Sequence, residues 1–165
     1  MKIVFLDIDG VLITRRNGSF ASLDSNQNPN GFDENAVRNL NRLIKETGAR
    51  IVISSSSRLT NSIRQLGVIL QCGGVVDPPV LDVTPFVIDT TTRRSHRGRE
   101  ILSWLEKNPT VTDYVVIDDY DHEHLSGIPR DCIVKTTDLD GFGTDEVYHR
   151  ALDILHASTC KSHRN

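Results

Sequence analysis

The chain has 165 residues, 38% of them hydrophobic and 25% charged, with a formal net charge of −3 at pH 7. That length suits one domain burying roughly two-thirds of the surface its unfolded form exposes, and the nearly balanced charge excludes a globally basic nucleic-acid binder while leaving local patches open. No apolar run reaches membrane-spanning length, and Cys72, Cys132 and Cys160, odd in number, widely spaced and in no Cys-x-x-Cys pair, are expected to be free thiols rather than a disulfide framework or a zinc site.

Met1-Lys2 leads directly into Ile3-Val4-Phe5-Leu6, a short apolar run that reads as a buried strand with no room for a signal peptide ahead of it, so a cytoplasmic protein is expected. Asp7-Ile8-Asp9-Gly10-Val11 follows at once. Alternation along a strand points Asp7 and Asp9 the same way at its end, and Gly10 lets the chain turn sharply beneath them. Two carboxylates so placed suit a divalent cation and covalent chemistry. The same Asp-x-Asp-Gly string opens calcium loops, but Val11, Leu12 and Ile13 break off the ligand pattern that such a loop needs.

Residues 13–31 lack periodicity and read as a flap. Asp33 then caps a helix in which Val37, Leu40 and Ile44 recur at helical spacing, and Gly48 stops it. Arg50 to Ile53 is the next strand. It ends in Ser54, Ser55, Ser56, Ser57 and Arg58, where hydroxyls and the backbone N–H groups of a helix start can hold phosphate oxygens; serines that merely cap the helix are an equal reading for Ser54. A short helix is expected at Ile63 and Leu66, ending at Gly67, with residues 70–94 as a second loop or flap.

The basic run Arg93 to Arg99 precedes a helix marked by Ile101, Trp104 and Leu105 and ended by Asn108-Pro109. Phosphoryl transfer requires a fixed cation, and Arg97 beside Gly98 at the helix start is the first candidate, Arg99 the second. Tyr114 to Ile117 is a strand running into Asp118, Asp119 and Asp121. Because neighbours on a strand face opposite sides, Asp118 is favoured as the metal ligand, with Asp119 or Asp121 acting through water. His122 and His124 have no third His or Cys at ligand spacing and are read as solvated. A strand at Cys132 to Val134 and a helix from Thr144, with Val147, Ala151, Ile154 and Leu155 as its buried stripe, complete a domain over 1–157, leaving a frayed tail at 158–165.

Strands alternating with helices imply an open α/β fold, a Rossmann-like three-layer sandwich whose mainly parallel sheet binds ligands at the carboxyl ends of its strands. Asp7, Ser54 and Asp118 each follow a strand. In that order, with Arg97 between the last two, these elements resemble the haloacid dehalogenase-like superfamily. More narrowly, Ile51 to Arg58, Thr84-Pro85, Arg97-Gly98-Arg99-Glu100-Ile101 with Trp104-Leu105, and Ile117-Asp118-Asp119 look like the small phosphatase domain associated with RNA-repair proteins.

The resemblance implies that Asp7 attacks phosphorus to form an aspartyl-phosphate, that Asp9 protonates the leaving oxygen and then activates water, and that Mg²⁺ is bound by Asp7, the Asp9 carbonyl and Asp118. It places Ser54, Ser55 and Arg97 on the phosphate. Val11 stands where many relatives carry Thr, and Arg97 where Lys is commoner, so the cation grips as a fork rather than a point. The presence of Asp9 favours a phosphatase over a dehalogenase. With flaps in place of an inserted cap domain, the implied substrate is a phosphorylated nucleic-acid end, a nucleotide or a small phosphate ester, with no membrane partner. Arg15, Arg16, Arg58, Arg93, Arg94, Arg97 and Arg99 are candidates for a basic mouth, and Tyr120 and Phe20 for base stacking. The competing reading is a non-catalytic phosphate- or nucleic-acid-binding partner in a repair assembly.

Overall fold

Strands covered on both faces read as continuous apolar runs, and β1 (Lys2–Leu6) has that form, its last four residues all buried. The computed structural model describes residues 1–15, 31–88, 96–157 and 160. β1 lies at the centre of a five-stranded sheet with β2 (Arg50–Ile53), β3 (Val80–Val83), β4 (Asp113–Asp118) and β5 (Ile133–Lys135), in the order β3-β2-β1-β4-β5. Every pairing is parallel. Strand order reverses between β1 and β4, and it is outside the carboxyl ends of strands at such a switch point that open α/β sheets bind ligands.

Right-handed crossovers place α1 (Glu34–Thr47) and α2 (Ile63–Cys72) on one face and α3 (Arg97–Lys107) on the other. The last helix, α4 (Asp145–Ala157), packs beside α1. Under α3, Phe5 meets Trp104 and Tyr114 edge-on, with ring centroids 5.5 and 5.9 Å away, and the indole N–H reaches Asp82 at 2.7 Å. The layers are those of the expected Rossmann-like sandwich.

The ends of α1 follow from local chemistry. Asp33 Oδ1 accepts the N–H groups of Asn35 and Ala36 at 2.9 and 3.0 Å, and Gly48, at φ 65°, closes the helix by donating to Ile44 O. A cap of this kind contributes about 1 kcal/mol. The other oxygen of Asp33 takes the Thr14 hydroxyl at 3.3 Å, which ties the loop after β1 to the helix start.

Four expectations are corrected. α2 does not stop at Gly67 but runs to Cys72, started by a Ser62–Gln65 capping box; nothing crowds Gly67, so only its modest helix penalty applies. Residues 80–83, read as part of a flap, form the edge strand β3. Tyr148 takes the place of Val147 in the buried stripe of α4. Cys132 and Cys160 are joined in a disulfide, their Cα atoms 5.5 Å apart, and Cys72 is the free thiol.

Cys160 is also held by its carbonyl, which accepts from Tyr114 N at 3.1 Å, so this part of the expected tail is pinned beside β4; 158–159 and 161–165 lie outside the described residues. A disulfide pulls against the expected cytoplasmic setting, where thiols are kept reduced. No helix among the described residues is long and apolar enough to cross a membrane.

Closing a loop of sequence separation 28 should stabilise the fold by about 3.5 kcal/mol through the unfolded state. Urea unfolding with and without reductant is expected to differ by roughly that amount, and alkylation of the unreduced, denatured protein to label Cys72 alone. Labelling of all three cysteines would overturn the pairing.

Candidate active site

Register alone sets the centre of the site. Leu6 pairs with Ile53 on one side and Ile117 on the other, so the next residues, Asp7, Ser54 and Asp118, stand side by side where β1, β2 and β4 end. The backbone knits the three together: Ser54 N donates to Leu6 O at 2.9 Å, and Asp7 N to Ile117 O at 3.1 Å. Past Asp9 the chain folds back, Leu12 and Ile13 both donating to Ile8 O.

Arg97, from the first turn of α3, enters this cluster as its cation. Its Nη1 donates to Asp7 Oδ2 at 2.5 Å and to Asp118 Oδ2 at 2.7 Å, and all three side chains are buried. The remaining carboxylate oxygens are held by the backbone, Asp7 Oδ1 by Ile8 N and Asp118 Oδ1 by Tyr120 N, each at 2.9 Å. Asp7 and Asp118 are thus oriented from both sides.

Asp119 completes a triad. One oxygen from each of Asp7, Asp118 and Asp119 lies within 4.8 Å of the others. Asp119 packs under the turn at Gly10: a Cβ built there would fall 2.4 Å from Asp119 Oδ2, and the φ of 72° also requires glycine. Thr136 supports the turn, its hydroxyl donating to Gly10 O at 2.8 Å while its N–H donates to Asp118 O at 2.9 Å. Nothing local in the sequence marks Thr136; it acts because β5 ends next to β4.

The charges explain the titration of the site. Burial raises the Asp118 carboxyl and Asp7 adds to the rise, while Arg97 opposes it. Burial also raises Asp119, with Asp7 contributing. Arg97 would lose affinity for its proton through burial, but Asp118 and Asp7 more than reverse this and lock it in the charged form. Asp9 is exposed at the rim; partial loss of hydration and the nearby charge of Asp7 raise its pKa, against Arg97. Three carboxylates facing one guanidinium leave two negative charges uncompensated if all ionise, which is the charge of one divalent cation. Carboxylate oxygens are the donors that such hard cations prefer.

The serines divide. Ser55 Oγ accepts Ser57 N at 3.4 Å and caps the 3₁₀ turn Ser56–Leu59. Ser54 is fully buried, and its hydroxyl has no hydrogen-bond partner among the described residues. A buried hydroxyl without a partner is costly unless a ligand completes it.

Arg58, expected at the mouth, is instead buried structure. Its guanidinium donates to Ser54 O and Ser55 O at 2.8 Å, to Thr84 O at 2.9 Å and to Glu100 Oε2 at 2.5 Å. Glu100 Oε1 in turn accepts Val87 N at 3.1 Å. Arg15 is an exposed partner of Asp138, and Arg99 is exposed on α3. Arg16, Arg93, Arg94 and Phe20 lie outside the described residues. Asp121 is not brought into the triad but pairs with Lys135 at the surface. His122 and His124 join no metal-binding group among the described residues.

Removing one member of a buried ion pair strands the other. Arg58→Met is therefore expected to lower stability by about 3–5 kcal/mol in urea unfolding, and adding Glu100→Leu to recover only the part due to the stranded charge, because the carbonyls of Ser54, Ser55 and Thr84 still lack their donor. A single substitution as mild as a surface change would mean that the pair is not buried as described.

Comparison with curated proteins and with solved structures yields no match. The model of a family described as the HAD domain in Swiss Army Knife RNA repair proteins matches residues 3–147, nearly the whole of the strand-end site and its scaffold, and the chain belongs to that family.

Proposed function

We propose that this domain is a Mg²⁺-dependent phosphomonoester hydrolase acting on a phosphorylated nucleic-acid end or nucleotide. The observation that carries the reading is the carboxylate triad of Asp7, Asp118 and Asp119, built around the single guanidinium of Arg97. Beside it, the unpartnered Ser54 hydroxyl supplies a donor for a phosphate oxygen. Ser55 still has its own hydroxyl proton to donate.

In this mechanism a carboxylate oxygen of Asp7 attacks phosphorus, and the ester oxygen leaves with a proton from Asp9. The acyl phosphate on Asp7 is then hydrolysed by water that returns a proton to Asp9. The raised proton affinity of Asp9 suits both roles, since it must be protonated in the first step and basic in the second. Arg97 orients Asp7 and offers further donors to the phosphoryl oxygens. Asp7, Asp118 and Asp119, with the Asp9 carbonyl, would hold the cation. When bound, Mg²⁺ would offset the charge of the phosphoryl group as it approaches the carboxylates.

The test is phosphate release from nucleotides, 3′- and 5′-phosphorylated oligonucleotides and a small alkyl phosphate, with Mg²⁺ and with chelator. Turnover is expected and chelator should abolish it. Asp7→Asn should abolish turnover with the fold intact, whereas Asp9→Asn should slow it roughly 10²- to 10⁴-fold and accumulate phospho-enzyme. A hydrogen bond to a charged group contributes about 1.5–3 kcal/mol, so Ser54→Ala should lose roughly 10- to 150-fold in kcat/KM. A silent wild-type protein would return the domain to the role of a phosphate-binding partner.

A further inference from the structure

We infer that the cleft beside Arg97 is a nucleobase site, so that the enzyme reads the base of the nucleotide carrying the phosphate. This deepens the phosphatase reading and rests on it. The cleft has a volume of about 330 Å³ and is lined by Ser56, Leu59, Phe86, Arg97, Tyr120 and His124, among others. That volume is within the range of small-molecule sites.

Aromatic residues are scarce in this chain, and eight are described. Six of them are buried in the core. The other two, Phe86 at 51% and Tyr120 at 43% exposure, both line this cleft. Leu59, also exposed, lines it with them. Single exposed apolar side chains need no explanation, but the meeting of both exposed aromatics in a cleft that also holds Arg97 does, even though Tyr120 lines a neighbouring cavity as well.

The two rings reach the cleft from opposite flanks of the central strand, Phe86 from the segment after β3 and Tyr120 from the segment after β4. Both are held rather than loose. Phe86 sits between Thr84, whose carbonyl accepts from Arg58, and Val87, whose N–H donates to Glu100. Tyr120 donates its N–H to Asp118, lies against the Arg97 guanidinium with 4.4 Å to the ring centroid, and has the His124 ring 4.9 Å away. A cleft lined by two aromatic rings, Leu59 and Arg97, with the Arg58–Glu100 pair also in its lining, suits a flat heteroaromatic ring attached to a phosphate. It does not suit a bare polyol phosphate, which would leave Phe86 and Leu59 wet.

The test compares an oligonucleotide bearing its phosphate on an ordinary terminal nucleotide with the same oligonucleotide whose terminal residue is abasic. Stacking of one base is expected to favour the first by roughly 5- to 150-fold in kcat/KM, chiefly through KM. Phe86→Ala should bring the ratio close to one, and Phe86→Tyr should restore it. Equal rates for the two substrates, a ratio untouched by Phe86→Ala, or preference for a phosphopeptide would each overturn the nucleobase site while leaving the phosphatase standing. If no substrate turns over, the phosphatase reading fails by itself. The cleft is then judged by calorimetry: a nucleoside monophosphate must bind more tightly than ribose phosphate, and Phe86→Ala must remove the difference.

Discussion

The buried contact of Arg97 with Asp7 and Asp118 is the constraint on which the rest of the structure depends. A parallel sheet with this strand order brings the ends of β1 and β4 together, where β1 is followed at once by Asp7 and β4 ends in Asp118. Two such groups out of water repel each other, and each has lost hydration. Neither would be tolerable without a cation whose geometry satisfies both, and a guanidinium can address two carboxylates from one fixed plane. The fold can therefore hold its strand-end acids only if α3 starts where Arg97 reaches them.

Several features of α3 follow from that requirement. Its first turn is pressed against the segment after β4: Gly98 N donates to His124 O at 3.0 Å, and a Cβ at Gly98 would meet Ser126 O at 2.3 Å. Only glycine allows this approach. One turn later Glu100 takes Arg58, which holds the carbonyls of Ser54, Ser55 and Thr84. The three buried ion pairs fall into two groups of opposite polarity, with α3 supplying the cation to Asp7 and Asp118 and the anion to Arg58. Residues at the carboxyl ends of β1, β2, β3 and β4 are thereby fixed against one helix, although those residues are far apart in the chain.

What the sequence disclosed and what it hid have physical reasons. Lys2–Leu6, Arg50–Ile53 and the β4 run were legible because a strand covered on both faces must be apolar throughout, and Asp33 and Gly48 marked α1 because caps are local chemistry. β3 was not legible: four half-buried residues at the sheet edge, one of them Asp82, following Pro78-Pro79, carry almost no periodicity. The closeness of Asp119 to Asp7 and Asp118 was not legible, because strand alternation does not extend past the strand: the chain turns after Asp118 and brings the next carboxylate back under Gly10. The Arg58–Glu100 pair and the Cys132–Cys160 bridge depend on contacts 42 and 28 residues apart, and no local pattern announces either.

The same architecture bears on specificity. Among the described residues, the short segments that build the centre also line the cleft beside it. Ser56 and Leu59 follow the serine loop, Phe86 follows β3, and Tyr120 and His124 follow the acids of β4; all line one cleft with Arg97. Tyr120 is tied to Asp118 through its backbone and to Arg97 through its ring. A ligand displacing that ring would act directly on the cation that orients Asp7, so recognition beside the site and the geometry of the carboxylates are mechanically one system.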